Sequence, residues 1–246
     1  MLSDIYTLWL REMLRFVRAR SRIISSIAMP FFWLVFIGVG IGSSFKLPDV
    51  NYISFLAPGI VGMTVLFTSI FTGVSVIWER QFGFLKEMLV APVSRTSIVL
   101  GKTFGGATIA LINAFLMILI AAAFGIIALG PGILLSIIFI VLTSMCFVLI
   151  GLIIASRMRS MEGFQMIMSF LIMPTFFLSG AIFPLANTPG WMQIISFLDP
   201  LTYGVDGIRA SLIGMTVMPL WISAVVLLAI DMALVFVCAY FFRKSM

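Results

Sequence analysis

The sequence predicts an all-α membrane protein. It has six transmembrane helices, an N-terminal amphipathic interfacial helix, a short cytoplasmic helix between the second and third spans, and broken re-entrant helices before the last span. Three observations predict this. Of 246 residues, 62% are hydrophobic and 10% charged, with a mean hydropathy of +1.24. A soluble domain carries roughly 25% charged residues, so too little polar surface is present to cover a globule in water. The apolar residues fall into six runs near the length of about 20 residues that a helix needs to cross a bilayer. The charges lie beside those runs, mostly on alternate sides.

Residues 1–22 come first. In "SDIYTLWLREMLRFVRARSR", Ile5, Leu8, Trp9, Met13 and Phe16 recur at helical spacing, with Arg11, Arg15 and Arg18 beside and beyond them. Such a helix lies in the interface, apolar face in lipid and guanidinium groups at the phosphates. A plain juxtamembrane anchor that only sets topology is the alternative. The N-terminal region lacks an obvious small-x-small cleavage site, so the first span is expected to be retained. The spans are 23–43, 53–78, 96–128, 132–156, 163–183 and 218–242. The third exceeds one bilayer thickness and is expected to tilt or to project into the cytoplasm. Pro30 and Pro174 are expected to bend the first and fifth spans.

Thirteen of the fifteen basic residues fall on one side if the spans alternate; only Lys46 and Arg209 fall on the other. The positive-inside rule then puts both termini in the cytoplasm of a multi-pass cell-membrane protein. The net charge of +6 is accounted for by this placement beside the spans, which excludes a nucleic-acid partner as its explanation.

The stretch "LGKT" (Leu100–Thr103) has the tail of a phosphate-binding loop, G-x-x-x-x-G-K-[ST]. The required first glycine is replaced by Thr96, and the segment opens a membrane span instead of following a strand. With no nucleotide site, no histidine and scattered acids, the chain itself is expected to be no enzyme and to hold no cofactor or metal.

Between the second and third spans, residues 79–91 form an amphipathic helix. Phe82, Leu85, Met88 and Leu89 make an apolar stripe, and Glu79, Arg80, Lys86 and Glu87 supply charge. Pro92 stops the helix, and Ser94 or Thr96 caps the next span. The helix is either a linker resting on lipid headgroups or a knob for a groove on a soluble partner, with aromatic and aliphatic anchors and charges that set register.

The run "ERQFGFLKEMLVAPVSRTSIVLGK" resembles the cytoplasmic loop of type-2 ABC transporter permeases, matching at Glu79, Arg80, Gly83, Leu85, Pro92, Val93, Arg95, Gly101 and Lys102. Family members usually place a small polar residue and Leu-Glu after the glycine, where this chain has "FLKE", a departure that displaces the polar contact by a residue or two. "FLSGAIFPLANTPGWMQIISFLDPLTYGVDGIRASLIG" is similar to the family's segment after the fifth span, in its antibiotic-resistance (daunorubicin-type) branch. The resemblance implies a homodimer of six-span subunits that exports an amphipathic drug, lipid or glycolipid-like substrate. It implies two separate ABC ATPase subunits, which carry ATP and Mg, docked on the cytoplasmic face. Residues 79–91 become the coupling helix, with Glu79, Arg80, Phe82, Gly83, Leu85, Lys86, Glu87, Met88, Pro92 and Arg95 as coupling residues.

Asp231 is the only acid deep inside a span, a functional candidate by default; the alternative is a structural bond to a neighbouring Ser, Thr or Asn113. The apolar but broken segment 184–214 is expected to dip into the outer leaflet. Asp199, Pro200, Tyr203, Asp206 and Arg209 are its gate candidates, with Asp206 and Arg209 near the membrane–water boundary and spaced to pair. It either gates the outer exit or plugs it structurally. The basic turn at 156–164 offers a second ATPase contact or topology alone. Rival classes are an ion-coupled secondary transporter, which needs intramembrane carboxylates and usually an internal repeat, and a non-transporting structural subunit.

Overall fold

A computed structural model of the chain describes residues 2–42, 51–82, 94–158 and 160–244. Every regular element among them is helical. The N-terminal helix α1 spans Leu2–Arg18 and breaks at Ala19 before α2, Arg20–Gly42. The second apolar run is two collinear pieces, α3 (Tyr52–Thr72) and α4 (Val74–Gln81), joined at Gly73. Then follow α5 (Arg95–Ala123), α6 (Gly132–Arg157) and α7 (Met161–Leu178). A 3-10 turn at Leu185–Asn187, α8 (Gly190–Ser196) and α9 (Pro200–Ile213) lead into α10, Leu220–Lys244.

Five of these stretches are long and apolar enough to cross a membrane: Tyr52–Glu79, α5, α6, α7 and Leu220–Phe241 of α10. Six were expected. The remaining helix, α2, runs over 23 residues, about 34 Å at helical rise, and its apolar stretch among the described residues is Ile24–Gly40. Pro30 and Pro174 both lie inside helices, as does Pro58.

α3 is the central helix, packed by α2, α5, α6 and α9, with Leu56, Ile60, Val65 and Ile70 fully buried. The outer helices turn large apolar side chains outward at helical spacing. On α10 these are Trp221, Val225, Leu228, Met232 and Phe236, the face that lipid covers. The helices alternate in direction. Ser54 near the start of α3 donates to the Ile126 carbonyl beyond the end of α5, and Arg157 at the end of α6 lies 4.4 Å over the Phe241 ring near the end of α10. Arg11, Arg15, Lys102 and Arg157 thus share one end of the bundle, the basic end.

α5 has 29 residues, about 43 Å, so it outruns one bilayer thickness as expected. Ser94 caps it, accepting from Ser97 N at 3.1 Å. Its first turns carry α1. Trp9 Nε1 donates to Thr108 Oγ1 at 3.0 Å. A Cβ on Gly101 would stand 2.6 Å from Leu8 Cβ, and one on Gly105 would stand 2.8 Å from Glu12 Cβ. These two bare positions let α1 close on α5. The stripe of Leu8, Trp9, Met13 and Phe16, expected to face lipid, is therefore partly or fully buried against protein. The exposed apolar face is Leu2, Tyr6, Leu10, Leu14 and Val17.

At the opposite end, segment 184–214 is broken into short helices as expected, and α9 is deeply packed among the long helices. It packs on α3, α6 and α10 with Leu201, Val205 and Ile208 fully buried.

Candidate functional site

Where α1, α4 and the start of α5 meet, three helical positions bring charge out of water. Lys102 and Glu79 are each 1% exposed, and Glu12 is 5% exposed. Lys102 Nζ donates to Glu12 Oε1 at 3.3 Å and to Ser75 Oγ at 3.2 Å. It also lies 2.8 Å from Glu79 Oε2, a charge contact. The other oxygen of Glu79 accepts from Arg11 at 3.2 Å and lies 3.5 Å from Arg15; Arg15 also stands 4.0 Å from Glu12.

Each charge is there because another is. Removing one partner from a buried pair leaves an uncompensated ion, at a cost of about 3–5 kcal/mol. Burial pushes the Glu12 carboxyl up, but Lys102, Arg15 and Arg11 outweigh burial and hold it below the ordinary carboxylate value. Arg11 and Arg15 are partly exposed and hold Glu79 from the solvent side. The arrangement links side chains of three separate helices.

The "LGKT" tail now has a structural account. Thr96–Thr103 is helical throughout, so its amides serve the α5 cap and ladder, and Thr103 Oγ1 bonds the Val99 carbonyl at 2.8 Å. Gly101 admits α1, and Lys102 binds carboxylates where a phosphate loop would bind phosphate.

Beside the cluster a cleft of about 460 Å³ is bounded by Arg15, Trp78, Glu79 and Phe82. Trp78 and Phe82 stack at 5.2 Å between centroids, and both are exposed. Of the expected coupling residues, Phe82 is thus an outward aromatic, whereas Glu79 faces inward instead of lying on the outer charged rim. Arg80 is the penultimate residue of α4, and Arg95 is the first of α5 and partly exposed. Gly83, Leu85, Lys86, Glu87, Met88 and Pro92 lie outside the described residues. On α1, Arg11 and Arg15 join the cluster, and Arg18 lines an exposed groove at the end of the helix.

The gate candidates at the other end are held differently. Asp206 and Arg209, expected to pair near the water boundary, are 2% and 4% exposed, and no ion pair joins them among the described residues. Asp206 accepts from Val217 N at 2.7 Å and from Thr216 Oγ1 at 3.0 Å. Arg209 donates to the Gly180 carbonyl at 2.8 Å and lies 4.0 Å over the Phe55 ring. Gly180, at φ 71°, makes the turn that presents this carbonyl. Burial pulls the guanidinium down and Asp206 pushes it up, leaving it at about 10 and still a cation near neutrality.

Asp199 caps α9 by accepting from Leu201 N at 2.9 Å, with Pro200 in the first helical turn. Burial raises its carboxyl to about 7, against the lowering from that amide. The Tyr203 hydroxyl donates to the Phe197 carbonyl at 2.7 Å. Asp231 is buried, and neither of its oxygens has a hydrogen-bond partner among the described residues. Asn113, one expected partner, bonds Thr68 instead, at 3.3 Å.

Sequence reasoning missed Glu12 and Ser75, and it took Lys102 only as a topology charge and a motif position. One signal was present: Leu8, Glu12 and Phe16 share a helix face at spacing four, and an acid inside an apolar stripe calls for a buried cation.

Comparison with known proteins places these observations. Residues 3–213 match the profile of the family described as ABC-2 type transporter. A protein named as a transport permease, ycf38, of Cyanophora paradoxa is 30% identical over 214 residues, 85% of this chain and 73% of its own. The inner membrane transport permease YadH of Escherichia coli K12 is 26% identical over 238 residues, 94% and 91% of the two chains. Nodulation protein J of Sinorhizobium fredii is 27% identical over 209 residues, 83% and 79%.

Proposed function

We propose that this chain, which belongs to the ABC-2 type transporter family, passes the work of a partner ATPase to its spans through the buried charge cluster. The chain is a membrane permease subunit, and the family in general works with an ABC ATPase. In the finer reading, two copies form a homodimer in the cell membrane and export an amphipathic drug, lipid or glycolipid-like substrate. Two ATPase subunits, holding ATP and Mg, dock at the basic end, which faces the cytoplasm with both termini. The described arginines and lysine at that end favour this side by the positive-inside rule.

One observation carries the mechanism. Glu79, at the start of the docking segment, is locked to Lys102 of α5 and to Arg11 and Arg15 of α1. ATP shifts the spans only if one arrangement binds the closed ATPase better. Displacement of the docking segment moves Glu79, and Lys102 and the arginines carry that movement into α5 and α1. Phe82, exposed on the same turn, offers the anchor.

Co-purification and transport in proteoliposomes with the ATPase test this reading. Phe82→Asp is expected to lose the ATPase from the complex. Glu79→Gln is expected to keep the complex and its ATP hydrolysis but to lose most coupled transport. Transport driven by an ion gradient without the ATPase, or full coupling in Glu79→Gln, overturns it.

A further inference from the structure

A cavity of about 260 Å³ lies between α1, α2, α3 and α5, away from the charge cluster. Phe16, Met29, Pro30 and Phe67 form apolar walls, Ser25, Ser26, Thr68 and Asn113 are polar, and none of the lining residues is ionisable. Asn113 is fully buried. Its Nδ2 donates to Thr68 Oγ1 at 3.3 Å, while its Oδ1 is buried with no hydrogen-bond partner among the described residues. A buried acceptor left unpaired costs about 1–3 kcal/mol, so a donor that reaches Asn113 Oδ1 from the cavity recovers that cost. Met29, 58% exposed, also borders a second hollow of about 240 Å³ on the outer face of α2, walled by Phe32, Trp33, Phe36 and Ile37.

We infer that the two hollows form one binding site for a single-chain amphiphile whose uncharged head donates one hydrogen bond, the chemistry of a long-chain alcohol. The hydroxyl donates to Asn113 Oδ1, and the chain passes Met29 and lies along α2 between Phe32 and Phe36. Charge is excluded because no side chain in the site can pair with it, and an unpaired ion is not buried in such a cavity. Two acyl chains do not fit. A cavity of about 150 Å³ holds one benzene ring, and the two hollows together are only about three times that. Met29 faces outward, so the ligand arrives from the bilayer. That this ligand is the transported class rests on the exporter reading above; that it binds rests only on the cavity.

The full chain in lipid nanodiscs is labelled with hexadecanol carrying a photoactivatable diazirine, and the labelled peptides are mapped. The matching alkane, fatty acid and alkylammonium probes run in parallel. Expected are labelling by the alcohol in the peptides holding Phe67 and Asn113, competition by plain hexadecanol, and weak labelling by the acid and the ammonium. Asn113→Leu is expected to lower alcohol labelling about fivefold and to leave alkane labelling unchanged. Met29→Trp, at the exposed mouth, is expected to lower both, and it serves where Asn113→Leu does not fold. Equal labelling by alkane and alcohol, equal labelling by either charged probe, insensitivity to both substitutions, or no labelling each overturns the site. Labelling as expected, without ATP-driven transport by the reconstituted complex, leaves the site standing and overturns the exporter reading. Transport with no labelling overturns the site alone.

Discussion

The two ends of the bundle bury charge by opposite means. At the basic end, Lys102, Glu79 and Glu12 neutralise one another across three helices, with Arg11 and Arg15 closing the cluster from outside. At the other end, Asp206 and Arg209 lie on one helix, and each is satisfied chiefly by backbone groups of another segment and, for Arg209, by an aromatic face. A side-chain cluster can exchange partners when a helix moves, because several cations face few carboxylates. A cation held by the carbonyl of a glycine turn cannot, because its partner is fixed by the chain path. The basic end is held by side chains from three helices, the opposite end by a backbone turn.

The largest effect tests the cluster. Lys102→Met strands Glu79 and Glu12 in a buried site and is expected to cost about 3–5 kcal/mol, read as lost thermal stability in detergent and faster hydrogen exchange in α1. Adding Glu79→Gln is expected to cost less than the two single losses summed. Strict additivity breaks the claim that the two residues act as a unit.

A smaller loss is expected at the opposite end. Arg209→Met leaves the Gly180 carbonyl unpaired and removes the cation from Phe55, at about 2 kcal/mol. Arg209→Lys is expected not to rescue it, since a compact ammonium cannot serve the carbonyl and the ring as a planar guanidinium does. Exchange in α1 should be untouched. If it rises, the two ends are not independent.

The smallest effect is a contrast in pH response. The Glu12 carboxyl lies below its ordinary value, so its contribution to stability is present above about pH 4.3 and is lost as the pH falls through the folded value. Asp199 is raised to about 7, so it favours the fold most at low pH and loses that advantage as the pH rises from about 4 through 7. Between pH 7 and 5 acid therefore favours the fold through Asp199 and leaves the Glu12 contribution unchanged. Asp199→Asn is expected to flatten the melting-temperature slope in that range; an unaltered slope removes Asp199 as its source.

Much of the helical layout was legible. The 132–156 run became Gly132–Arg157, and the 218–242 run became Leu220–Lys244, because long uninterrupted apolar runs leave a backbone no other way to satisfy its amides in lipid. The Ser94 cap was legible because a hydroxyl next to a helix start has one obvious donor to accept from. The cluster was not. Its members stand 90 and 68 residues apart along the chain, Glu12 from Lys102 and Arg11 from Glu79, and no local pattern links them. The stripe of α1 was assigned to lipid for a related reason. It suits lipid or protein equally, and only Gly101 and Gly105 on another helix decide for protein.

The sequence by itself determined the solvent, the helical class, the approximate spans and the separation of charge to one end, since each follows from composition and local periodicity. Tertiary structure alone decided which charges go inside. Whether Lys102 is a topology signal or the hub of a cluster depends on whether carboxylates from two other helices reach it. It likewise decided that Arg209 closes on a backbone turn instead of on the acid three residues before it. Burying a charge depends on the partners that meet it in space, and those partners come from distant parts of the chain.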